Sequence, residues 1–161
     1  MKTILVLAVI VSVVCVGWTY AFITLGIPLW ASFLGAASYF AGGGNKTGLL
    51  KALPSGLLGI VVALGTVFLA TKVLAGGLLT LSLVVGVAGF IVITITRIGF
   101  FDFIPGTFVG YATTFAIMAA FPTSSLSEQG IKAAIGLVAG IAVGYLIHVV
   151  NSALSPRLVG K

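Results

Sequence analysis

Residues Ala31–Ala41 read ASFLGAASYFA, and Gly106–Ala116, 75 positions on, read GTFVGYATTFA. Five of the eleven positions are identical: Phe33/Phe108, Gly35/Gly110, Ala37/Ala112, Phe40/Phe115 and Ala41/Ala116. Ser32/Thr107, Leu34/Val109 and Ser38/Thr113 are conservative pairs, and a proline precedes each block, Pro28 and Pro105. A second match follows at an offset of 81: Lys51-Ala52 with Lys132-Ala133, Gly59-Ile60 with Gly140-Ile141, and Val62 with Val143. The longer loop Pro122–Gln129 absorbs the change of offset. Ser55/Gly59/Ala63 and Gly136/Gly140/Gly144 also correspond. Each trio places a small residue every four positions, hence on one helix face, and such faces let helices approach closely in lipid. The chain is therefore read as an internal repeat, partial because its first and fourth apolar segments share no convincing identity.

The surroundings of these blocks decide the solvent. Of 161 residues, 60% are hydrophobic and 6% charged, against about 25% charged in a soluble domain. Mean hydropathy is +1.33. Such a chain belongs in a lipid bilayer. A cytosolic enzyme, a secreted disulfide scaffold and a disordered tail are excluded. The net charge of +6 comes from eight Lys and Arg scattered singly. This is not the clustered basic face that nucleic acid requires, and no nucleic-acid partner is expected. One Cys (Cys15) and one His (His148) rule out an intramolecular disulfide and a Cys/His zinc cluster.

Gaps between charges count the spans, since a crossing helix needs about 20 apolar residues. Residues 3–45 hold two, and 52–71, 73–96, 103–127 and 133–156 one each. The expected helices are 3–23, 28–43, 51–71, 74–98, 105–121 and 130–151. Segments 28–43 and 105–121 carry a second reading as partly re-entrant. With six spans, Lys2, Lys46, Lys51, Arg97, Arg157 and Lys161 fall on one side, against Lys72 and Lys132 on the other. The positive-inside rule then sets both termini in the cytoplasm. Four spans give no bias. Trp18, Tyr20 and Trp30 gather near the outer interface. Met1–Gly17 has the outline of a signal peptide, but Val14 is too bulky for good cleavage before Cys15, so retention of the helix is expected.

Three spans per repeat is odd, so the second repeat lies upside down. The fold class expected is all-α: a polytopic membrane protein of six helices in a 3+3 inverted repeat. Residues 1–161 form a single integral domain, with repeat one at about 3–72, repeat two at about 73–151 and a short cytoplasmic tail at 152–161. Inverted repeats recur in transporters and channels, with the solute path at the repeat interface.

The candidate path residues are Ser32, Phe33, Gly35, Asp102, Pro105, Gly106, Thr107, Phe108 and Gly110. Ser32 and Thr107 would replace water around a solute, and Phe33 and Phe108 would narrow the path. The plainer alternatives are hydroxyls bonded back to helix carbonyls and ordinary packing. Asp102, one of two acidic residues, reads as a cap for the helix at Pro105 or as a cation-attracting entrance. His148 is a proton-relay candidate, or a group that simply reaches the interface. Arg97 reads as a snorkelling topology anchor, and Glu128 as a cap of the last helix. Gly42–Thr47 superficially resembles a phosphate loop but lacks its spacing, and reads as a flexible turn. No paired carboxylates and no Ser-His-acid set are apparent. No enzyme activity, cofactor or metal is expected.

The stretches LGIPLWASFLGAASYFAGG and FDFIPGTFVG resemble the YcdZ-like bacterial inner-membrane proteins, which are similarly short and hydrophobic and share a PGTF-type motif. The resemblance covers roughly Ile4 to Asn151. It implies the cytoplasmic membrane of a bacterium and supplies neither substrate nor catalytic residue. The functional expectation comes from the repeat: a channel or facilitator for a small neutral or weakly polar solute. A non-conducting structural or regulatory subunit packed on a partner and a proton-coupled transporter are the alternatives. The expected partners are the bilayer, an unnamed solute and a second copy of the chain.

Overall fold

The computed structural model describes residues 2–74 and 76–159, with side chains for 4–74 and 76–156. Lys161, counted above for orientation, lies outside the described residues, as do the side chains of Lys2 and Arg157. All regular structure among the described residues is helical: α1 (Lys2–Thr24), α2 (Leu29–Ala41), α3 (Lys46–Phe68), α4 (Leu78–Ile95), α5 (Ile104–Ala120) and α6 (Leu126–Val159). A π turn, Leu69–Val73, prolongs α3, and a 3-10 turn, Gly99–Phe101, follows α4. Four stretches are long and apolar enough to cross a membrane: Ile4–Thr24, Lys46–Val73, Leu78–Ile95 and Leu126–Pro156. Helices α2 and α5 are shorter, 13 and 17 residues, rising about 20 and 26 Å.

Local chemistry sets these bounds. The helix read as starting at residue 51 begins at Lys46, because the Asn45 side chain accepts from the amides of Thr47 (2.7 Å) and Gly48 (3.3 Å). The supposed flexible turn is thus only Gly42–Asn45. Gly43 (φ 122°) and Gly44 (φ 61°) close it, with the Gly44 amide reaching back to the Tyr39 carbonyl. Gly26 (φ 67°) ends α1 likewise, the Ile27 amide bonding to the Phe22 carbonyl. The last helix starts at Leu126, four residues earlier than expected. Ser125 and Glu128 form a reciprocal cap, each side chain accepting from the other's amide. It also runs on to Val159, through most of the segment read as a tail. Helix α4 stops at Ile95, short of the expected 98, giving way to the 3-10 turn.

Two parallel helix pairs form the centre. On α2 and α6, a methyl group at Gly35 would strike the Leu137 carbonyl, and one at Gly140 the Ser32 carbonyl. Gly136 faces Ala31 and Gly144 faces the Tyr39 ring. On α3 and α5, a methyl at Gly110 would strike the Gly56 carbonyl, and one at Gly59 the Thr107 carbonyl. Gly106 meets Ser55. Numbers rise together along both seams, so the paired helices run the same way. The contacts repeat at the offsets read from the sequence: Ser32/Thr107 and Gly35/Gly110 are 75 apart, Gly59/Gly140 and Gly56/Leu137 are 81 apart. Outside the pairs, α1 packs on α6 and α4 on α3. Tyr39, Ala52, Ile60, Ile117, Ala133, Leu137 and Ile141 fill the space between them. Helices α1 and α4 turn Ile4, Val13, Val16, Leu78, Leu83 and Phe90 outward, the face that lipid covers.

Gly59→Ala and Gly140→Ala are expected to lose about 1–3 kcal/mol or more through overpacking, seen as a lower Tm in detergent. Gly86→Ala, where the added methyl meets nothing within 4 Å, is expected to leave Tm unchanged. Asn45→Ala is expected to cost about 1 kcal/mol by loss of the α3 cap, measured the same way.

Candidate functional site

The nine candidate path residues do not face one lumen. Ser32 and Gly35 are buried in the α2–α6 seam, and Gly106, Thr107 and Gly110 in the α3–α5 seam. Phe33 and Phe108 turn outward, 43% and 48% exposed, so neither narrows a path through the centre of a single chain. Pro105 is exposed in the first turn of α5, while Pro28 occupies the position just before α2. The six residues read as a packing face (Ser55, Gly59, Ala63, Gly136, Gly140 and Gly144) are all buried.

The two matched hydroxyls have different surroundings. Ser32 Oγ donates to the Leu29 carbonyl at 2.6 Å, the back-bond weighed for it above. It also accepts the indole N–H of Trp18 at 2.9 Å. The Trp18 ring lies 4.5 Å from that of Phe33, tilted by 39°. Trp18 was read as an interfacial aromatic with Tyr20 and Trp30. Those two are exposed, but Trp18 is only 6% exposed, held among Phe22, Ala36 and Phe33. Its indole fills the α1–α2 groove, and burial of so large a ring follows once its N–H has a partner.

Thr107, the counterpart of Ser32, is fully buried, and its hydroxyl has no hydrogen-bond partner among the described residues. Ser38 Oγ, Tyr39 Oη and Ser55 Oγ share that condition. Other buried hydroxyls are satisfied: Thr113 and Thr114 bond back to the Val109 and Gly110 carbonyls, and Thr66 to that of Val62 while taking the Tyr111 hydroxyl at 3.2 Å. A cavity of about 50 Å³ opens between α4 and α5, lined by Val85, Gly89, Val92, Phe108 and Tyr111. On the outer face of α3, a wholly apolar groove of about 570 Å³ runs along Leu50, Pro54, Leu57 and Val61 to Phe100 and Phe101.

The ionisable candidates stand apart from this centre. Asp102 does not cap α5. That helix begins at Ile104, Phe103 takes the cap position without a side-chain bond, and the Asp102 carboxylate instead meets Lys51 Nζ of α3 at 3.4 Å. Both partners are about half exposed, which makes the pair a weak one. It brings side chains near the starts of α3 and α5 to one face. His148 is half-buried, its ring 6.3 Å from that of Tyr145. Arg97 is exposed just past the end of α4. No group of three or more His, Cys, Asp or Glu that would hold a metal occurs among the described residues. The Trp18–Ser32 bond has only one signal in the sequence, an aromatic about two turns before the Gly26-Ile27-Pro28 reversal.

Comparison with known proteins places the chain. Residues 8–151 match the family described as "Protein of unknown function (DUF1097)". The chain is 35% identical over 119 residues to the "Inner membrane protein YcdZ" of Salmonella typhimurium (strain LT2), covering 72% of each chain. It is 34% identical over 119 residues to the "Inner membrane protein YcdZ" of Escherichia coli (strain K12), covering 72% of this chain and 71% of that one. No solved structure matches it. With four apolar helices able to span a bilayer and relatives named for the inner membrane, the chain is an inner membrane protein that belongs to the DUF1097 family.

Proposed function

We propose that this chain is a channel or facilitator for a small neutral or weakly polar solute, built as a six-crossing 3+3 inverted repeat with both termini in the cytoplasm. The observation that carries the reading is the set of four buried hydroxyls without partners, on Ser38, Tyr39, Ser55 and Thr107. Each unpaired buried polar group costs about 1–3 kcal/mol, and native structures keep few of them. A passing solute that donates and accepts hydrogen bonds would satisfy them. Among the described residues no Lys, Arg, Asp or Glu is buried, which suits a neutral solute rather than an ion.

The equivalence of the two seams supports the inverted repeat, because each half lends its short helix to the last helix of the other. Their parallel course supports six crossings: tight turns reverse the chain between α1 and α2 and between α2 and α3, so α2 runs against both neighbours. Closure in this arrangement is supplied by Leu137 filling the space at Gly56 and by Tyr39 on Gly144. Conduction then involves separation of the two pairs. The partner-subunit alternative draws on the apolar groove along α3. A proton-coupled mechanism draws little support, since Asp102 lies at the surface with Lys51 and His148 outside the central cluster.

Stopped-flow light scattering on proteoliposomes, with a panel of small neutral solutes and weak acids and protein-free vesicles as control, tests the reading. Faster solute entry with protein is expected. Thr107→Val is expected to slow it while leaving stability unchanged or raised by about 1 kcal/mol, since it deletes an unpaired hydroxyl and keeps the shape. Absence of protein-dependent flux for every solute, with the protein folded and inserted, would overturn conduction in favour of the partner subunit.

A further inference from the structure

The apolar groove on the outer face of α3 has one charged end. Leu50, Pro54, Leu57 and Val61 form one wall, and Phe100 and Phe101 of the 3-10 turn form the other. The α3 residues follow each other at spacings of four, three and four, which is one helix face. Lys46 lies four residues before Leu50, so it stands on the same face, exposed at the foot of the groove. Helices α3 and α5 start at the same end, so the connection from α4 to α5 lies there too. It carries Arg97, which is exposed, and Asp102, which is paired with Lys51. Three cations and one carboxylate thus stand at one end of a groove of about 570 Å³ with hydrocarbon walls. From Leu50 to Val61 the helix rises about 17 Å, against about 15 Å for one leaflet's half of the hydrocarbon core. The groove therefore serves the tails of one leaflet, the leaflet whose headgroups lie beside these cations.

We propose that this groove seats an anionic phospholipid of the surrounding bilayer, with an acyl chain along α3 and the phosphate beside Lys46 and Arg97. Charge decides against a second copy of the chain as the occupant. The chain has two acidic residues. Asp102 is taken by Lys51, and Glu128 caps α6. Lys46 and Arg97 have no acidic partner among the described residues. A second copy related by a two-fold axis through the membrane would set cation against cation at this end. A phosphodiester supplies the missing charge, and a guanidinium can bind two of its oxygens at once. Basic side chains beside a membrane helix attract anionic lipid by the same force. A zwitterionic lipid has the same tails, but its own ammonium offsets its phosphate. The groove thus gives the fit and the net charge gives the choice. Binding here does not depend on conduction.

Native mass spectrometry of the full chain in detergent tests the seat. The probes are phosphatidylglycerol and phosphatidylcholine with identical acyl chains, added in equal amounts. The wild type is expected to retain phosphatidylglycerol in preference. Lys46→Gln and Arg97→Gln are each expected to reduce that preference about fivefold, the factor one juxtamembrane cation carries, and the double variant to reduce it further. Either single variant serves should the double one fail to fold. Lys72→Gln, an exposed cation at the far end of α3, is expected to leave the preference unchanged. Raised salt is expected to weaken it, because exposed charges are screened. Leu57→Trp puts a bulky ring in the middle of the groove and is expected to lower the amount of phosphatidylglycerol retained. Equal retention of the two lipids by the wild type overturns the proposal, as does a preference that both glutamine variants keep. Undiminished retention in Leu57→Trp overturns the groove as the seat of the tail. A lipid-free dimer in place of a lipid-bound chain overturns the proposal in favour of a second copy.

Discussion

The architecture depends on four places where one helix backbone rests directly on another. Gly35, Gly59, Gly110 and Gly140 each sit where a methyl group would run into a carbonyl of the neighbouring helix. In lipid, helices gain little from burying apolar surface against each other, because the solvent is as apolar as they are. What remains is dispersion over many atoms at close range, which falls away quickly with distance. Glycine removes the one atom that would hold the axes apart. The short helices α2 and α5 need this most. With so few turns to pack, each is anchored along a longer helix, and Trp18 adds a polar clasp to the first of them.

Much of this was legible in the letters. Offsets of 75 and 81, the small residues at four-residue spacing and the gaps between charges located the elements and the faces that meet. The partners of those faces were not legible. A face of small residues is equally good for a neighbour in sequence, a distant helix or another copy of the chain, and nothing in Gly59 or Gly140 says which. Helix starts were misplaced where a side chain rather than hydropathy decides: Asn45 and Ser125 cap earlier than the apolar runs begin. Asp102 was assigned to the nearest helix start, but the chain bends away from it and Lys51, 51 residues off in sequence, takes the carboxylate. For Phe33 and Phe108 the letters leave two readings, a constriction by analogy with a pore and ordinary packing, and Phe33 packs against Trp18. On a helix whose buried face belongs to Ser32 and Gly35, the adjacent Phe33 must turn elsewhere.

Ser32 and Thr107 occupy matched places on α2 and α5, yet their surroundings differ. The shared backbone scaffold fixes the hydroxyl and the ring at each site. Ser32 bonds both to the Leu29 carbonyl and to the Trp18 indole, whereas the Thr107 hydroxyl has no partner among the described residues.

The order in which the partners of each seam occur along the chain bears on assembly. Chains are made from the N-terminus, so α2 enters the bilayer long before α6, the helix that completes its seam. Until then the backbone face at Gly35 lies open to lipid. The α3–α5 seam closes earlier, and only the arrival of the last helix locks the first half. A chain that stopped before α6 would lack the close approach of Gly140 to the Ser32 carbonyl.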